Sequence, residues 1–164
     1  MIIIVEGIDR VGKTTLCKRL KEETGIAVLK DFTMNGKLKK KIVNEKMLTT
    51  LNVLDAFLDQ DIVIDRFHLS EAVYGKLDRG YKNKFVKDVD ERLSQMQACL
   101  ILVRPENEEW LRKAEEEHGS DLEKHAKMFE KWYEKSAIRN KLSTTFSEMD
   151  GVVELIKIMR EGKR

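Results

Sequence analysis

A chain of 164 residues with 41% hydrophobic, 7% aromatic and 37% charged residues has the composition of a folded protein and the length of one compact domain. That composition excludes a disordered polymer and a fibrous repeat, and 31 Lys+Arg against 29 Asp+Glu, a net charge of +2, argues against dedicated nucleic-acid binding. No apolar run approaches the ~18 residues of a membrane span, and Met1 to Val5 lacks the form of a signal peptide, so a cytoplasmic location is expected.

The first predicted strand, Ile2 to Val5, is a continuous apolar run of the kind buried on both faces in a parallel sheet. It leads into Gly7-Ile8-Asp9-Arg10-Val11-Gly12-Lys13-Thr14, which satisfies the pattern G-x-x-x-x-G-K-[ST] in full. In such a loop the glycines let backbone N–H groups turn inward around phosphate oxygens, Lys13 neutralises the β and γ phosphates, and the Thr14 hydroxyl ligates Mg²⁺. Thr14 to Glu23 reads as the helix whose positive N-terminus faces the anion. Gly7, Ile8, Asp9, Arg10, Val11, Gly12, Lys13, Thr14 and Thr15 are therefore assigned to a nucleoside triphosphate. Cys17 and Cys99 have no paired spacing and read as buried thiols.

A second strand is expected over Ile26 to Leu29, and the short basic run from Gly36 to Lys41 reads as solvated surface. Leu48 to Leu58 is long enough for a crossover helix. The third strand, Ile62 to Ile64, is followed by Asp65-Arg66-Phe67-His68-Leu69-Ser70-Glu71-Ala72-Val73-Tyr74-Gly75. A carboxylate there suits a Mg²⁺ shell beside the phosphate loop, and Arg66 supplies a planar fork for a second phosphate. His68 has no partner identifiable from sequence.

Cys99 to Val103 forms the fourth predicted strand, with Pro105 just after it. Asn107 to Ile138 reads as two helices meeting at Gly119. Ser120 and Glu123 form a capping box for the second, which carries an apolar stripe of Leu122, Ala126, Phe129 and Tyr133. Arg104, Arg112, Lys113, Lys124 and Lys127 lie among many glutamates, and His118 and His125 read as surface residues. Leu142 to Phe146 is a weaker fifth strand. The alternation implies an α/β sandwich that binds ligands at the carboxyl ends of its strands.

Glu6-Gly7-Ile8-Asp9-Arg10-Val11-Gly12-Lys13-Thr14-Thr15 resembles the P-loop of thymidylate kinases, and Asp65-Arg66-Phe67-x-x-Ser70-x-x-x-Tyr74 is similar to their D-R-[YF]-x-x-S-x-x-A-Y-Q segment. The resemblance implies an α/β, three-layer P-loop kinase fold in a single domain, residues 1–164, with a five-stranded parallel sheet and a helical lid at about 107–138. It implies transfer of the γ-phosphate of ATP, with Mg²⁺, to a deoxynucleoside monophosphate, dTMP or a related deoxynucleotide. A homodimer is compatible with it.

Carried over by resemblance, Lys13, Arg10, Asp65 and Arg66 form the catalytic set, with Thr14 and Asp65 at the metal. Asp9 would bond the 3′-hydroxyl of the acceptor, Arg66 its phosphate, and Arg10 the transferring phosphoryl group. Tyr74 would pack on the sugar and disfavour a 2′-hydroxyl, Phe32 would stack on the base, and Ser70 and Glu71 would line the same site. One lid cation would clamp ATP. The chain departs from the family pattern at Glu71, at Gly75 where glutamine is usual, at Lys30-Asp31-Phe32, and at Leu102 where an aspartate is usual. A free carboxylate at Glu71 would favour a base edge rich in N–H donors. Two alternatives stay open: a deoxynucleoside kinase, whose neutral 5′-hydroxyl acceptor needs a general base such as Asp31, and a nucleotide-binding switch with no acceptor.

Overall fold

The structure, a computed structural model, describes residues 1–30, 40–56, 58–118 and 121–162. Asp31, Phe32, Gly119, Ser120 and residues 36–39 of the basic run fall outside the described residues. Strands and helices alternate as β1 (Ile2–Glu6), α1 (Lys13–Thr24), β2 (Ala27–Lys30), α2 (Lys40–Ala56), β3 (Ile62–Asp65) and α3 (His68–Leu77). They continue as α4 (Phe85–Gln95), β4 (Cys99–Val103), α5 (Glu108–His118), α6 (Leu122–Lys135), β5 (Asn140–Thr144) and α7 (Met149–Glu161).

The five strands make one all-parallel sheet in the order β2-β3-β1-β4-β5. β1 and β4 are buried along their whole length, as their uninterrupted Ile, Val and Leu content demands. From β1 the chain moves to β2 on one side, and from β3 to β4 on the other, so a crevice opens at the carboxyl ends of β1 and β3. The register pairs Val5 with Asp65. The phosphate loop and the Asp65-Arg66 segment therefore leave the sheet side by side.

β2 is an edge strand and largely exposed, not buried on both faces. Ile26, which does pack into the core, precedes it. β5 starts two residues before the run predicted for it, because its ladder to β4 pairs Asn140 with Cys99; Phe146 is left beyond its end. Helices α4 and α7, for which the sequence suggests helical spacing without bounds, bury Val86, Val89 and Leu93, and Val152, Val153 and Ile156, spaced at helical intervals. The cap of α6 is Asp121, whose carboxylate accepts from the Lys124 amide at 3.2 Å.

Candidate active site

The phosphate loop is shaped by its glycines. Gly7 and Gly12 have φ of 143° and 96°. A Cβ on Gly7 would collide with the Val103 carbonyl oxygen, and one on Gly12 would lie 2.6 Å from Phe146 Cδ2. Arg10 also takes a positive φ, 68°, a conformation costly for a side-chain-bearing residue and concentrated at functional sites. Its side chain is exposed and has no partner among the described residues.

Lys13 is buried and donates to the Ile8 carbonyl. Burial, reinforced by the positive Arg66, pushes its ammonium down to about 8. Thr14 Oγ1 donates to Asp65 Oδ2 at 3.1 Å, while Asp65 Oδ1 is buried with no hydrogen-bond partner. An orphaned carboxylate oxygen beside a hydroxyl fits Mg²⁺, which takes one or two protein oxygens and completes its shell with phosphate and water. Among the described residues no group of three or more His, Cys, Asp or Glu could hold a metal by itself. Leu102, buried in β4, pairs with Glu6 in the sheet.

Arg66 sits immediately beyond β3 with φ 70°, its amide still donating to the Val5 carbonyl at 2.9 Å. This left-handed turn sends its guanidinium to the Asp9 carboxylate of the phosphate loop and to the Tyr74 hydroxyl at 3.4 Å. Burial, then the nearby Asp9, pushes the Tyr74 phenol up to about 12, so it stays neutral. Its ring lies edge-on to Phe129 at 5.8 Å and tilted against His125 at 5.3 Å.

His125 is not a surface residue. Nδ1 lies 2.6 Å from the Asp121 carbonyl oxygen and Nε2 lies 2.7 Å from Asp78 Oδ1, fastening α6 to the end of α3 behind Tyr74. His68 also has a partner: it is fully buried with Nε2 2.8 Å from Asp90 Oδ1. Burial would raise the Asp90 carboxyl, but bonds from His68, Ser136 and the Ala137 amide hold it below its ordinary value.

Glu6, quoted in the motif but given no role from sequence, organises the second segment. Oε1 accepts from the amides of Phe67, Leu69 and Ser70 at 2.8, 3.0 and 3.2 Å, and Oε2 from the Ser70 hydroxyl at 2.5 Å. It thereby satisfies the open N–H groups at the start of α3, a role usually filled by a cap within the same segment. The Ser70 hydroxyl is committed to this carboxylate. Glu71 forms an ion pair with Arg79 and accepts from Asn83 Nδ2 at 3.0 Å, so its charge is not free for a base.

Among the basic residues near α5 and α6, Arg104 makes a two-pronged pair with Glu130 at 2.7 and 2.9 Å. Lys113, Lys124 and Lys127 pair with Glu109, Asp121 and Glu123. Arg112 has no partner among the described residues. Phe146, 56% exposed, covers Gly12 at the outer mouth of the phosphate loop.

No protein-family model matches the chain, and no curated protein matches its sequence. Solved structures do resemble it. The YorR protein from Bacillus subtilis, in complex with phosphorylated GDP, is similar with a TM-score of 0.70 at 16% identity, over 98% of this chain and 96% of that one. Thymidylate kinase from Candida albicans gives 0.56 at 16% identity, over 99% and 92%. Deoxyadenosine kinase from M. mycoides gives 0.56 at 16% identity, over 100% of both chains. The chain thus has the α/β fold of thymidylate kinase-like P-loop kinases, with its five-stranded parallel sheet.

Proposed function

We propose that this chain is an ATP-dependent kinase whose acceptor is a deoxynucleoside monophosphate. The observation that carries this reading is the placement of Arg66. Its guanidinium lies against Asp9 of the phosphate loop and against Tyr74, next to the loop that would hold the donor phosphates. A second cationic fork at that point suits an acceptor that is itself phosphorylated.

On this reading Lys13 and the loop amides hold the donor phosphates, and the exposed Arg10 folds over the group in transfer. Bound Mg²⁺, held by Thr14 and Asp65, would neutralise charge on the donor phosphates. The acceptor phosphate displaces Asp9 from Arg66. The released Asp9 carboxylate then accepts the sugar 3′-hydroxyl, while Tyr74 closes the sugar pocket against a 2′-hydroxyl. Phe146 offers the donor base an apolar face. Positioning and charge neutralisation supply the catalysis, with no covalent intermediate. The whole chain acts as one catalytic domain, with α5 and α6 as its lid. No helix among the described residues is long and apolar enough to cross a membrane.

The deoxynucleoside kinase reading needs an unoccupied carboxylate as general base. Among the described carboxylates around Arg66, Glu6 is spent on four donors, Asp9 on Arg66 and Glu71 on Arg79 and Asn83, while Asp65, whose Oδ1 is free, is given to Mg²⁺ on this reading; Asp31 lies outside the described residues. These partnerships favour a phosphorylated acceptor. The reading is tested by following label from γ-labelled ATP: kinase action puts it in a deoxynucleoside diphosphate, whereas a switch releases it as inorganic phosphate.

A further inference from the structure

On α3, Glu71 lies one turn before Tyr74 and Gly75, on the face that those residues share. Its side chain is 3% exposed, with Oε2 paired to Arg79 and Oε1 accepting from Asn83. Asn83 in turn donates to Asn44 Oδ1 of α2 at 2.6 Å. Arg79 folds back over Gly75. A Cβ there would meet Glu71 Oε1 at 3.2 Å, Tyr81 Cε2 at 3.3 Å and Arg79 Nη2 at 3.5 Å. The room that a larger side chain would take is filled by an arginine held from two sides.

Arg79 is nearly fixed. Nη2 bonds Glu71, Nε donates to the Tyr81 hydroxyl at 3.2 Å, and the guanidinium lies 5.6 Å from the Tyr81 ring centroid. Of its five N–H groups, the two on Nη1 and the second on Nη2 meet no acceptor among the described residues, so one N–H from each nitrogen forms a parallel pair. The Arg79 side chain keeps 14% of its surface exposed, so the fork is not sealed from solvent. What this face of α3 presents beyond Tyr74 is a pair of N–H donors on a neutralised, preorganised fork, and not a free carboxylate.

We propose that Arg79, fixed by Glu71 and given room by Gly75, reads the acceptor base and selects a carbonyl edge, guanine before all others. The assignment rests on the acceptor reading above and names the substrate within it. Guanine sets O6 and N7 side by side, two acceptors that match an arginine fork. Thymine offers O4 alone. Adenine and cytosine turn an amino group toward the arginine, leaving donor against donor, and a site built to hydrogen-bond one edge strongly rejects another.

The experiment measures both equilibrium binding and kcat/KM for dGMP, dTMP, dAMP and dCMP, adding 7-deaza-dGMP to lose N7 and dIMP to lose only the 2-amino group. The wild-type protein is expected to favour dGMP over dAMP by about tenfold to a hundredfold. 7-deaza-dGMP should lose about tenfold, and dIMP should match dGMP. Arg79→Lys keeps the charge opposite Glu71 but not the fork, and should cut the dGMP/dAMP ratio by about tenfold with KM for ATP unchanged. A wild-type preference for amino bases, indifference to N7, or an unaltered ratio in a folded Arg79→Lys protein overturns the assignment. The analogue comparison in wild type decides the matter if the variant does not fold. Preferential binding of dGMP without turnover would remove the kinase reading and leave the base assignment standing. Turnover of all four without preference would do the reverse, and neither binding nor turnover would overturn both.

Discussion

Thr14 Oγ1 and Asp65 Oδ2 lie 3.1 Å apart across 51 positions of sequence. The contact follows from the β1–β3 register, which aligns Val5 with Asp65, and it leaves Asp65 Oδ1 buried without a partner. Asp65→Asn keeps the hydrogen bond but halves the oxygen donors. The Mg²⁺ concentration for half-maximal turnover should rise at least about tenfold, as perturbing a metal shell commonly costs, with little change in melting temperature. Titrating turnover with Mg²⁺ measures it.

Lys13 should make nucleotide binding pH-dependent. Its ammonium falls to about 8 in the folded protein, mainly through burial, from 10.5. Between these values the unfolded chain holds the proton and the folded one does not, so this group's contribution to stability rises with pH across that window. ATP binding runs the other way, because only the charged form clamps phosphate. Affinity should fall as pH rises through about 8, with proton uptake on binding, detectable by calorimetry in buffers of different ionisation enthalpy. Lys13→Ala should cost about 3 kcal/mol or more in the transition state with the fold retained, as read from single-turnover rates and circular dichroism.

Glu6→Ala should destabilise by about 3 kcal/mol or more, since each buried donor left without a partner costs roughly 1–3 kcal/mol and Phe67, Leu69 and Ser70 all lose theirs. Glu6→Gln, which retains one acceptor oxygen, should lose less. Denaturant midpoints at constant slope measure the difference.

The loop from Gly7 to Thr14 was legible because its residues are consecutive and carry both its shape and its charge. Asp65-Arg66 was legible for the same reason. The partners that hold these residues were not. Glu6 reaches donors 61 to 64 positions away, His125 meets Asp78 across 47, and His68 meets Asp90 across 22; no local pattern encodes a pairing made by sheet order and helix packing. For Glu71 the sequence left open a carboxylate facing the base or one paired with Arg10 or Arg66; its actual partner, Arg79, returns to it through the turn after α3, which residue-by-residue charge assignment does not show. The helical spacing of Val86, Val89 and Leu93 and of Val152, Val153 and Ile156 was legible in the sequence, whereas the bounds of α4 and α7 were not.

Arg66→Ala should raise KM for the acceptor far more than KM for ATP. A charged hydrogen-bonding pair contributes about 1.5 to 3 kcal/mol, roughly tenfold to over a hundredfold. Steady-state kinetics with each substrate varied in turn measures the split, and an effect confined to ATP would move Arg66 to the donor side.

The most direct test compares ADP release with each deoxynucleoside monophosphate against the matching free deoxynucleoside, under saturating ATP and Mg²⁺. The account predicts rapid, acceptor-dependent turnover with a monophosphate and little above background with its nucleoside. Equal or faster turnover with the nucleoside, or slow hydrolysis indifferent to any acceptor, would contradict it.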